Sequence, residues 1–275
     1  MKKYIFIIDL DMGNEQYKIQ DYFIILLQSL QQCNFKDNLV VITNKEYSSE
    51  YVFPNNTFFV DVPYRINYTN LKREKFASIH FASEKLNLTD NDIIFICDAR
   101  DVYFQDFDFI DKMELKHTWF SFENELLRES NHMKSNIIKQ EKYNNSKVWE
   151  KLEQINEKYI NAGICLTNKK HLKIMGNLVR VEWWEHDLAK FNCCEQPILN
   201  KIYFSNRSMD FIRILKAFNS RFVSINSHGG IWKCIDNKIY NFIEDKKIYS
   251  SVIHQWDRRE DLKEIILNLN EKRLE

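Results

Sequence analysis

Short apolar runs alternate with amphipathic stretches along the first hundred residues, and this alternation predicts strands and helices in turn. The apolar runs predict strands at Tyr4–Ile8, Leu39–Thr43, Thr57–Val60 and Ile93–Cys97. Apolar positions at helical spacing predict helices at Asn14–Cys33 and Leu71–Leu86. The run Ile93–Cys97 is apolar at every position, which predicts a strand buried on both faces in the middle of a mostly parallel sheet. This order of elements is typical of an α/β fold.

The second half of the chain has a more mixed pattern. Its apolar runs predict strands at Thr118–Phe122, Tyr159–Leu166, Arg221–Ile225 and Ser251–His254. Helical spacing predicts helices at His171–Phe191 and Asp261–Asn270, a helix with Pro197 in its first turn, and a helical stripe of Val148, Leu152, Ile155 and Tyr159. The polar segment Asn124–Ser146 has few apolar anchors and predicts a mobile loop. Because no repeat or linker interrupts the pattern, we expect a single compact domain.

Glycine is scarce in this chain. It has 5 Gly and 3 Pro among 275 residues, where ordinary usage would give about 19 Gly. The glycines form neither a G-x-G-x-x-G fingerprint nor a P-loop. A phosphorylated ligand would therefore be held by a metal ion or by basic side chains.

Charge and cysteine usage narrow the class of protein further. The 39 basic and 39 acidic residues cancel, which argues against a nucleic-acid partner. No apolar stretch approaches the ~18 residues of a transmembrane span, and the N-terminal apolar run stops at Asp9, too early for a signal peptide. The six cysteines include no C-x-x-C pair, so reduced thiols are the simplest interpretation. Together these features predict a cytoplasmic protein.

The most informative segment follows the predicted buried strand and reads Asp98-Ala99-Arg100-Asp101-Val102-Tyr103-Phe104-Gln105. In open α/β sheets, ligands bind at the carboxyl ends of the strands. Asp98 and Asp101 at such an end could share a divalent cation, which would neutralise a diphosphate. Taken alone, the pattern is explained at least as well by Asp98 capping a turn and Arg100 pairing with an acid.

The same segment resembles the metal-binding D-x-D region of GT-A-type glycosyltransferases, in the D-S-R-D-V-x-F-Q variant of bacterial and viral members. The resemblance implies that Asp101 coordinates the metal directly. It implies that Asp98 binds the nucleotide ribose or completes the metal shell, and it places Arg100 at the nucleotide.

Two later motifs resemble the sugar-binding parts of these enzymes. Tyr159-Ile160-Asn161-Ala162-Gly163-Ile164 resembles the N-x-G strand that lines the sugar pocket, which implies roles for Asn161 and Gly163 in substrate binding. Glu195-Gln196-Pro197-Ile198-Leu199-Asn200 resembles a D/E-Q-x-x-x-N helix start, whose acid and amide face the sugar hydroxyls or the reacting carbon. The simpler alternatives are a strand kink at Gly163 and a favourable acid at a helix N-terminus.

A third motif, Val252-Ile253-His254-Gln255-Trp256-Asp257-Arg258, resembles the late H-Q-Y-D-R motif. The resemblance implies that His254 completes the metal site and that Arg258 holds the diphosphate; the alternative is a structural histidine at a strand end. Glu195 and Asp257 are the candidate catalytic carboxylates.

Two further candidate sites have weaker support from the sequence. Arg73 and Lys75 lie on the helix before the acidic segment, where such enzymes place basic residues on the donor phosphates, and Arg73 is the predicted ligand. A solvated helix face explains them equally well. His228, before Gly229 and Gly230, is a candidate metal or phosphate element or simply part of a turn.

The resemblance extends over roughly residues 2–259. It implies a GT-A-like (Rossmann-like) α/β fold with a mixed, mostly parallel central sheet flanked by helices, in one domain spanning 1–275. Residues 1–105 would form the nucleotide-binding half, 106–260 the acceptor and sugar half, and 261–275 a C-terminal helix.

The implied activity is Mn²⁺- or Mg²⁺-dependent transfer from a nucleotide-diphosphate sugar, with a UDP-sugar favoured, to a hydroxyl of a glycan or lipid-linked acceptor. The setting would be surface polysaccharide synthesis, in the cytoplasm or peripherally at the inner face of the membrane. Two rivals remain: a non-catalytic glycan-binding module, and a sugar nucleotidyltransferase, which the acidic segment after Ile8 disfavours.

Overall fold

The computed structural model describes residues 1–10, 20–61, 68–144, 148–185, 195–204, 213–225 and 228–271. The strands in these ranges are β1 (Lys3–Asp9), β2 (Asn38–Thr43), β3 (Thr57–Val60), β4 (Ile93–Cys97), β5 (Val102–Phe104), β6 (Thr118–Leu126), β7 (Lys158–Thr167), β8 (Leu215–Ala217), β9 (Val223–Ile225), β10 (Ile231–Ile235), β11 (Lys238–Ile243), β12 (Lys246–Tyr249) and β13 (Val252–His254). The helices are α1 (Gln20–Gln32), α2 (Tyr68–Lys85), α3 (Asn131–Asn144), α4 (Val148–Leu152), α5 (Lys169–Glu185), α6 (Glu195–Phe204) and α7 (Glu260–Glu271).

A seven-stranded mixed sheet forms the centre of the fold, in the order β3-β2-β1-β4-β7-β6-β8. The strands β1 to β4 are parallel, and β7 runs antiparallel to both β4 and β6. Strand β4 is the fourth of the seven, and all five of its residues are buried. The all-apolar run therefore predicted both the strand and its central position correctly.

Helices cover both faces of this sheet. Successive side chains of a strand point to opposite sides, so each buried strand contributes apolar residues to the core on both faces. On β1, Ile5 and Ile7 pack in one core cluster with apolar residues of α1. The intervening Phe6 packs in a second cluster with Phe76 of α2 and Met175 of α5. The predicted α/β sandwich is confirmed.

A small second sheet, β5-β13-β9, extends from the end of β4. Strand β13 pairs antiparallel with β5 and parallel with β9, which sets His254 opposite Val102 and Ile225. The polypeptide leaving β4 is thereby held against the C-terminal end of the chain. This pairing builds the candidate site.

The predicted loop at Asn124–Ser146 is wrong. Strand β6 continues to Leu126, a 3₁₀ turn covers Leu127–Glu129, and α3 follows; residues 145–147 lie outside the described part. Met133 and Ile137, four residues apart, have the spacing of one helix face. They pack with Trp149 in a separate core cluster. Two buried anchors one turn apart are enough to hold a polar helix.

The helix predicted through Tyr159 is also wrong, because α4 ends at Leu152 and Tyr159 lies in β7. Tertiary contacts override the helical spacing there, since the Tyr159 hydroxyl donates to Glu125 and accepts from Ser130.

The antiparallel meander β10-β11-β12 was not predicted. Each of its two turns has both central residues in the left-handed region, Asp236 with Asn237 and Glu244 with Asp245. These pairs carry the φ values of type I′ hairpin turns without any glycine, so the usual turn signal is absent.

Other expectations agree with the described residues within a few positions. Pro197 lies in the first turn of α6 as predicted. Helix α5 ends at Glu185, and residues 186–191 of the predicted helix lie outside the described part, as do residues 14–19 of the first one. The thiols of Cys33, Cys97, Cys165 and Cys234 are free, whereas Cys193 and Cys194 are outside the described residues. Among the helices described, none has the length and apolar character needed to cross a membrane.

Candidate metal and donor site

Three potential metal ligands meet where β4 ends. Asp98 follows β4 directly, Asp101 precedes β5, and His254 is the last residue of β13. The His254 Nε2 atom lies 3.6 Å from Asp98 Oδ2 and 3.4 Å from Asp101 Oδ1. One ligand atom from each residue falls within 4.8 Å of the others, which is the spacing that a single cation needs.

Backbone contacts fix the relative positions of these residues. The register between β5 and β13 sets His254 opposite Val102, immediately after Asp101. The Gln255 N–H then donates to the Asp101 carbonyl at 2.7 Å, and Gln255 adopts a left-handed conformation with φ of 60°. This turn carries the chain away from the strand while His254 keeps its place beside the two carboxylates.

The chemistry of the cluster fits a divalent cation. Asp101 and His254 are buried, with 6% and 1% exposure. The Asp101 Oδ1 atom and both ring nitrogens of His254 have no hydrogen-bond partner among the described atoms. Buried polar atoms are normally bonded, and two carboxylates with one imidazole are a suitable ligand set for a Mn²⁺-like ion.

The charges of the cluster are mutually dependent. Burial alone would lower the pKa of the His254 imidazole, but the Asp101 and Asp98 carboxylates outweigh it and raise that pKa to about 9. Burial would raise the pKa of Asp98, but Lys75 and His254 hold it well below its usual range. The Asp98 side chain is 41% exposed, so the cluster is open to solvent on that side.

Lys75 joins the cluster from α2. Its buried ammonium lies 2.9 Å from Asp98 Oδ1 and 3.2 Å from Glu195 Oε1, and it donates to the Ala162 carbonyl at 3.0 Å. Burial would lower the pKa of Lys75, yet the two carboxylates raise it above its ordinary value. One side chain therefore connects α2, the end of β4, β7 and the start of α6.

The sequence pattern predicts Arg73 as the ligand on α2, and in the structure Lys75 contacts the carboxylates of the site. The Arg73 side chain lies outside the described part of the chain. The position of Lys75 in the site is set by its two acidic partners, which are distant from it in the sequence.

Gly163 lies at an irregularity of β7. Phe120 pairs with Cys165 but Ser121 pairs with Asn161, so the residues between bulge out of register with β6. The Gly163 carbonyl accepts from the Asp98 N–H at 3.1 Å. A Cβ on Gly163 would stand 2.2 Å from His254 Cε1. The bulge therefore packs directly against the candidate metal ligands.

The first turn of α6 is fixed to the same strand. Gln196 Oε1 accepts from the Ala162 N–H at 3.2 Å. Asn200 bonds both backbone groups of Ile160, accepting at 2.6 Å and donating at 2.8 Å. These contacts place Glu195, the first residue of α6, beside Lys75.

Asp257 and Arg258 follow His254 on a 3₁₀ turn. The Arg258 guanidinium lies 3.6 Å from Asp101 Oδ2, and its side chain is 56% exposed. Burial and the Asp101 charge raise the pKa of Asp257, against the lowering influence of Arg258 and Arg100. The Asp257 Oδ1 atom is buried without a hydrogen-bond partner among the described atoms.

His228 is placed differently from the other candidates. Its Nε2 atom lies 3.1 Å from the Phe122 carbonyl, and its Nδ1 accepts from the Ile225 N–H at 3.4 Å. Both ring nitrogens thus bond to backbone, and no hydrogen bond or ion pair in the described residues joins this ring to the metal cluster. The arrangement connects β6 to the end of β9.

No protein family and no curated protein matches the sequence. A structure of the galactosyltransferase LgtC in complex with donor and acceptor sugar analogues matches with a TM-score of 0.54 and 16% identity, over 98% of this chain and 95% of LgtC. A structure of an active-site mutant of LgtC matches with a TM-score of 0.56 and 15% identity over the same shares. The chain therefore has the GT-A-like fold: one mixed α/β domain with a central, mostly parallel sheet flanked by helices.

Proposed function

We propose that this protein is a metal-dependent glycosyltransferase, which transfers a sugar from a nucleotide-diphosphate donor to a hydroxyl group. The observation that carries the proposal is the cluster of Asp98, Asp101 and His254 at the end of β4. The buried Asp101 Oδ1 atom and the His254 ring nitrogens have no hydrogen-bond partner among the described residues. The cluster stands at the strand ends where ligands bind in open α/β sheets. The fold shared with a galactosyltransferase supports the same reaction class.

Asp101 and His254 are the residues that would hold the cation, with Asp98 at its exposed side. A divalent cation bound there would stabilise the negative charge that develops on a leaving diphosphate. Arg258 is exposed and held near Asp101, so its guanidinium can bind a phosphate group bidentately. Arg100 is the second arginine proposed for the nucleotide.

Lys75 and Glu195 are proposed to bind the donor sugar. Their 3.2 Å ion pair adjoins Asp98, to which Lys75 is also bonded, and pairs of opposite charge can bond adjacent sugar hydroxyls. The same region is bordered by Asn161 and Gly163 of β7. Gln196 borders it as well, through its bond to Ala162 of β7. Glu195 and Asp257 are the two carboxylates proposed to assist the acceptor hydroxyl, either as a general base or beside the reacting carbon.

The finer assignments are part of the same proposal. They comprise Mn²⁺ or Mg²⁺ as the cation, a UDP-sugar as donor, Arg73 and His228 as substrate ligands, and a glycan or lipid-linked acceptor. The proposed setting is cytoplasmic surface polysaccharide synthesis, with nucleotide-binding and acceptor halves at 1–105 and 106–260.

Calorimetry with UDP, with and without Mn²⁺, tests the proposal. We expect UDP to bind only with the metal, and Asp101→Ala to abolish this binding while the protein stays folded. Asp111→Ala is the matched control, because Asp111 is 56% exposed and pairs with Lys3 at the surface. Metal-dependent binding that survives in Asp101→Ala would overturn the metal assignment.

A hydrolysis screen across UDP-, GDP-, CMP- and dTDP-sugars then separates the rival functions. The transferase should release free sugar slowly from its own donor in the presence of the metal. Sugar binding without metal dependence would indicate a glycan-binding module. Release of pyrophosphate from a nucleoside triphosphate and a sugar phosphate would indicate a nucleotidyltransferase.

A further inference from the structure

Glu123 of β6 is buried behind the candidate site and has no part in the proposed transfer. Its side chain is 7% exposed, and its Oε1 atom accepts a hydrogen bond from Asn161 Nδ2. Burying a carboxylate is costly unless it is hydrogen-bonded. Asn161, which donates this hydrogen bond, is the residue that begins the bulge in β7.

This bond determines which way the Asn161 amide points. An ionised carboxylate only accepts hydrogen bonds, whereas a side-chain amide has one accepting and one donating end. Glu123 therefore selects the NH₂ end of Asn161, which leaves the Oδ1 end to accept from the Gly163 N–H at 2.9 Å. With the amide reversed, the Asn161 Oδ1 atom would face the Glu123 carboxylate and the Asn161 NH₂ group would face the Gly163 N–H.

The Gly163 peptide in turn contacts the candidate metal ligands. Its carbonyl accepts from the Asp98 N–H at 3.1 Å. Its Cα is so close to the His254 ring and the Asp98 carboxylate that a Cβ would lie 2.2 Å from His254 Cε1 and 2.7 Å from Asp98 Oδ2. A small shift of the bulge would therefore move both side chains.

We propose that Glu123 is a positioning residue for the cation site. By orienting the Asn161 amide it holds the bulge at Gly163, and the bulge sets the distance between Asp98 and His254. The cation is taken from the proposed function, whereas the hydrogen-bond chain through Asn161 is independent of it. Mutation of residues that orient metal ligands commonly lowers metal affinity by about 10–100-fold.

Three variants isolate this role. Glu123→Met keeps the length of the side chain but removes the acceptor, and Glu123→Gln restores an acceptor oxygen. Glu125→Met is the matched control, because Glu125 lies on the same strand and accepts from the Tyr159 hydroxyl at 2.7 Å, away from the bulge. If Glu123→Met does not fold, Glu123→Asp withdraws the acceptor by one methylene and gives the same two measurements.

The first measurement is hydrogen exchange at the Gly163 amide. Ala162–Gly163 is the only Ala–Gly step in the sequence, so carbonyl-¹³C alanine with ¹⁵N glycine gives a single assigned NMR signal. We expect exchange at least about tenfold faster in Glu123→Met, as for a locally opened bond. Glu123→Gln and Glu125→Met should remain within about threefold of the unchanged protein. Unchanged exchange in Glu123→Met would overturn the positioning role, whatever the protein binds.

The second measurement is the affinity for Mn²⁺ with UDP, by calorimetry. We expect Glu123→Met to weaken binding by about 10–100-fold, with recovery in Glu123→Gln and no loss in Glu125→Met. Faster exchange with unchanged affinity would overturn the link to the cation site. If the unchanged protein binds no Mn²⁺–UDP, the proposed function fails, and the exchange result alone decides whether Glu123 holds the bulge.

Discussion

Gly163 and His254 lie in such close contact that the structure has no space for a side chain at position 163. A Cβ there would stand 2.2 Å from His254 Cε1, 2.6 Å from His254 Nε2 and 2.7 Å from Asp98 Oδ2. Its neighbours are therefore the cluster residues themselves. Glycine at this position allows a buried imidazole and a carboxylate to approach the strand together.

Replacing this glycine should damage the cation site more than the fold. In Gly163→Ala or Gly163→Val, His254 and Asp98 must move apart, so Mn²⁺-dependent UDP binding should fall by about 10–100-fold or more. Calorimetry gives the affinity, and thermal unfolding shows whether the protein stays folded.

Gly176→Ala controls for the chemical change itself. Its Cβ would meet backbone atoms of Ala77 and Phe76, the nearest at 3.3 Å, and alanine is the better helix former by about 1 kcal/mol. This control should bind Mn²⁺ and UDP normally. Normal binding by Gly163→Val as well would show that the metal lies elsewhere.

Lys75 should stabilise the fold as well as the site. Lys75→Met removes the ammonium group that lies between the Asp98 and Glu195 carboxylates. Breaking a buried pair costs about 3–5 kcal/mol, and we expect the lower end because Asp98 is 41% exposed. Urea unfolding measures the change, with Lys75→Arg as the charge-preserving variant.

Lys3→Met is the surface comparison for this prediction. Lys3 pairs with the exposed Asp111 at 2.7 Å, and such pairs contribute about 0–1 kcal/mol. A loss in Lys75→Met no greater than that in Lys3→Met would show that the internal ion pairs add nothing to stability.

The local sequence pattern predicted β4 and the acidic cluster at its end, because the all-apolar run and the acids that follow it are adjacent in the sequence. The contacts of Lys75 could not be read in this way. Its partners Asp98 and Ala162 lie 23 and 87 residues away, and the antiparallel pairing of β4 with β7 and the packing of α2 bring them together. The bulge at Gly163 depends on the register between two strands, which residue types alone do not specify.

His228 gives a pH dependence of stability whose direction follows from its contacts. Burial lowers the pKa of its imidazole, with partial opposition from the bond to the Phe122 carbonyl. The unfolded chain then binds more protons than the folded one as pH falls through the unfolded value of about 6.5, so His228 contributes stability above that pH and loses it below. Protonation would also put a second N–H against the Ile225 N–H.

Urea unfolding between pH 7.5 and 5 measures this effect. The stability of His228→Gln should fall less steeply with pH than that of the unchanged protein, although its stability at pH 7.5 is lower. His117→Gln is a comparison and not an unchanged control, since burial lowers the pKa of His117 too, with partial opposition from Glu114 near its ring. Parallel pH profiles for His228→Gln and the unchanged protein would contradict the assignment.

The ion pair between Lys201 and Glu182 should hold α6 in place against α5. Lys201 Nζ lies 3.1 Å from Glu182 Oε2, and the two side chains are 2% and 5% exposed. It joins α5 to α6, the helix that begins with Glu195 and Gln196. Lys201→Met should destabilise the protein because it breaks the buried pair, and breaking a buried pair costs about 3–5 kcal/mol.

The double variant Lys201→Met with Glu182→Leu decides between pairing and simple loss of packing. Replacing both charges by apolar groups of similar volume is often neutral or stabilising, so the double variant should recover most of the lost stability. Urea unfolding of both single variants and the double variant gives the coupling energy. If the single losses merely add, the two charges do not stabilise each other, and α6 is held by its bonds to β7 through Gln196 and Asn200.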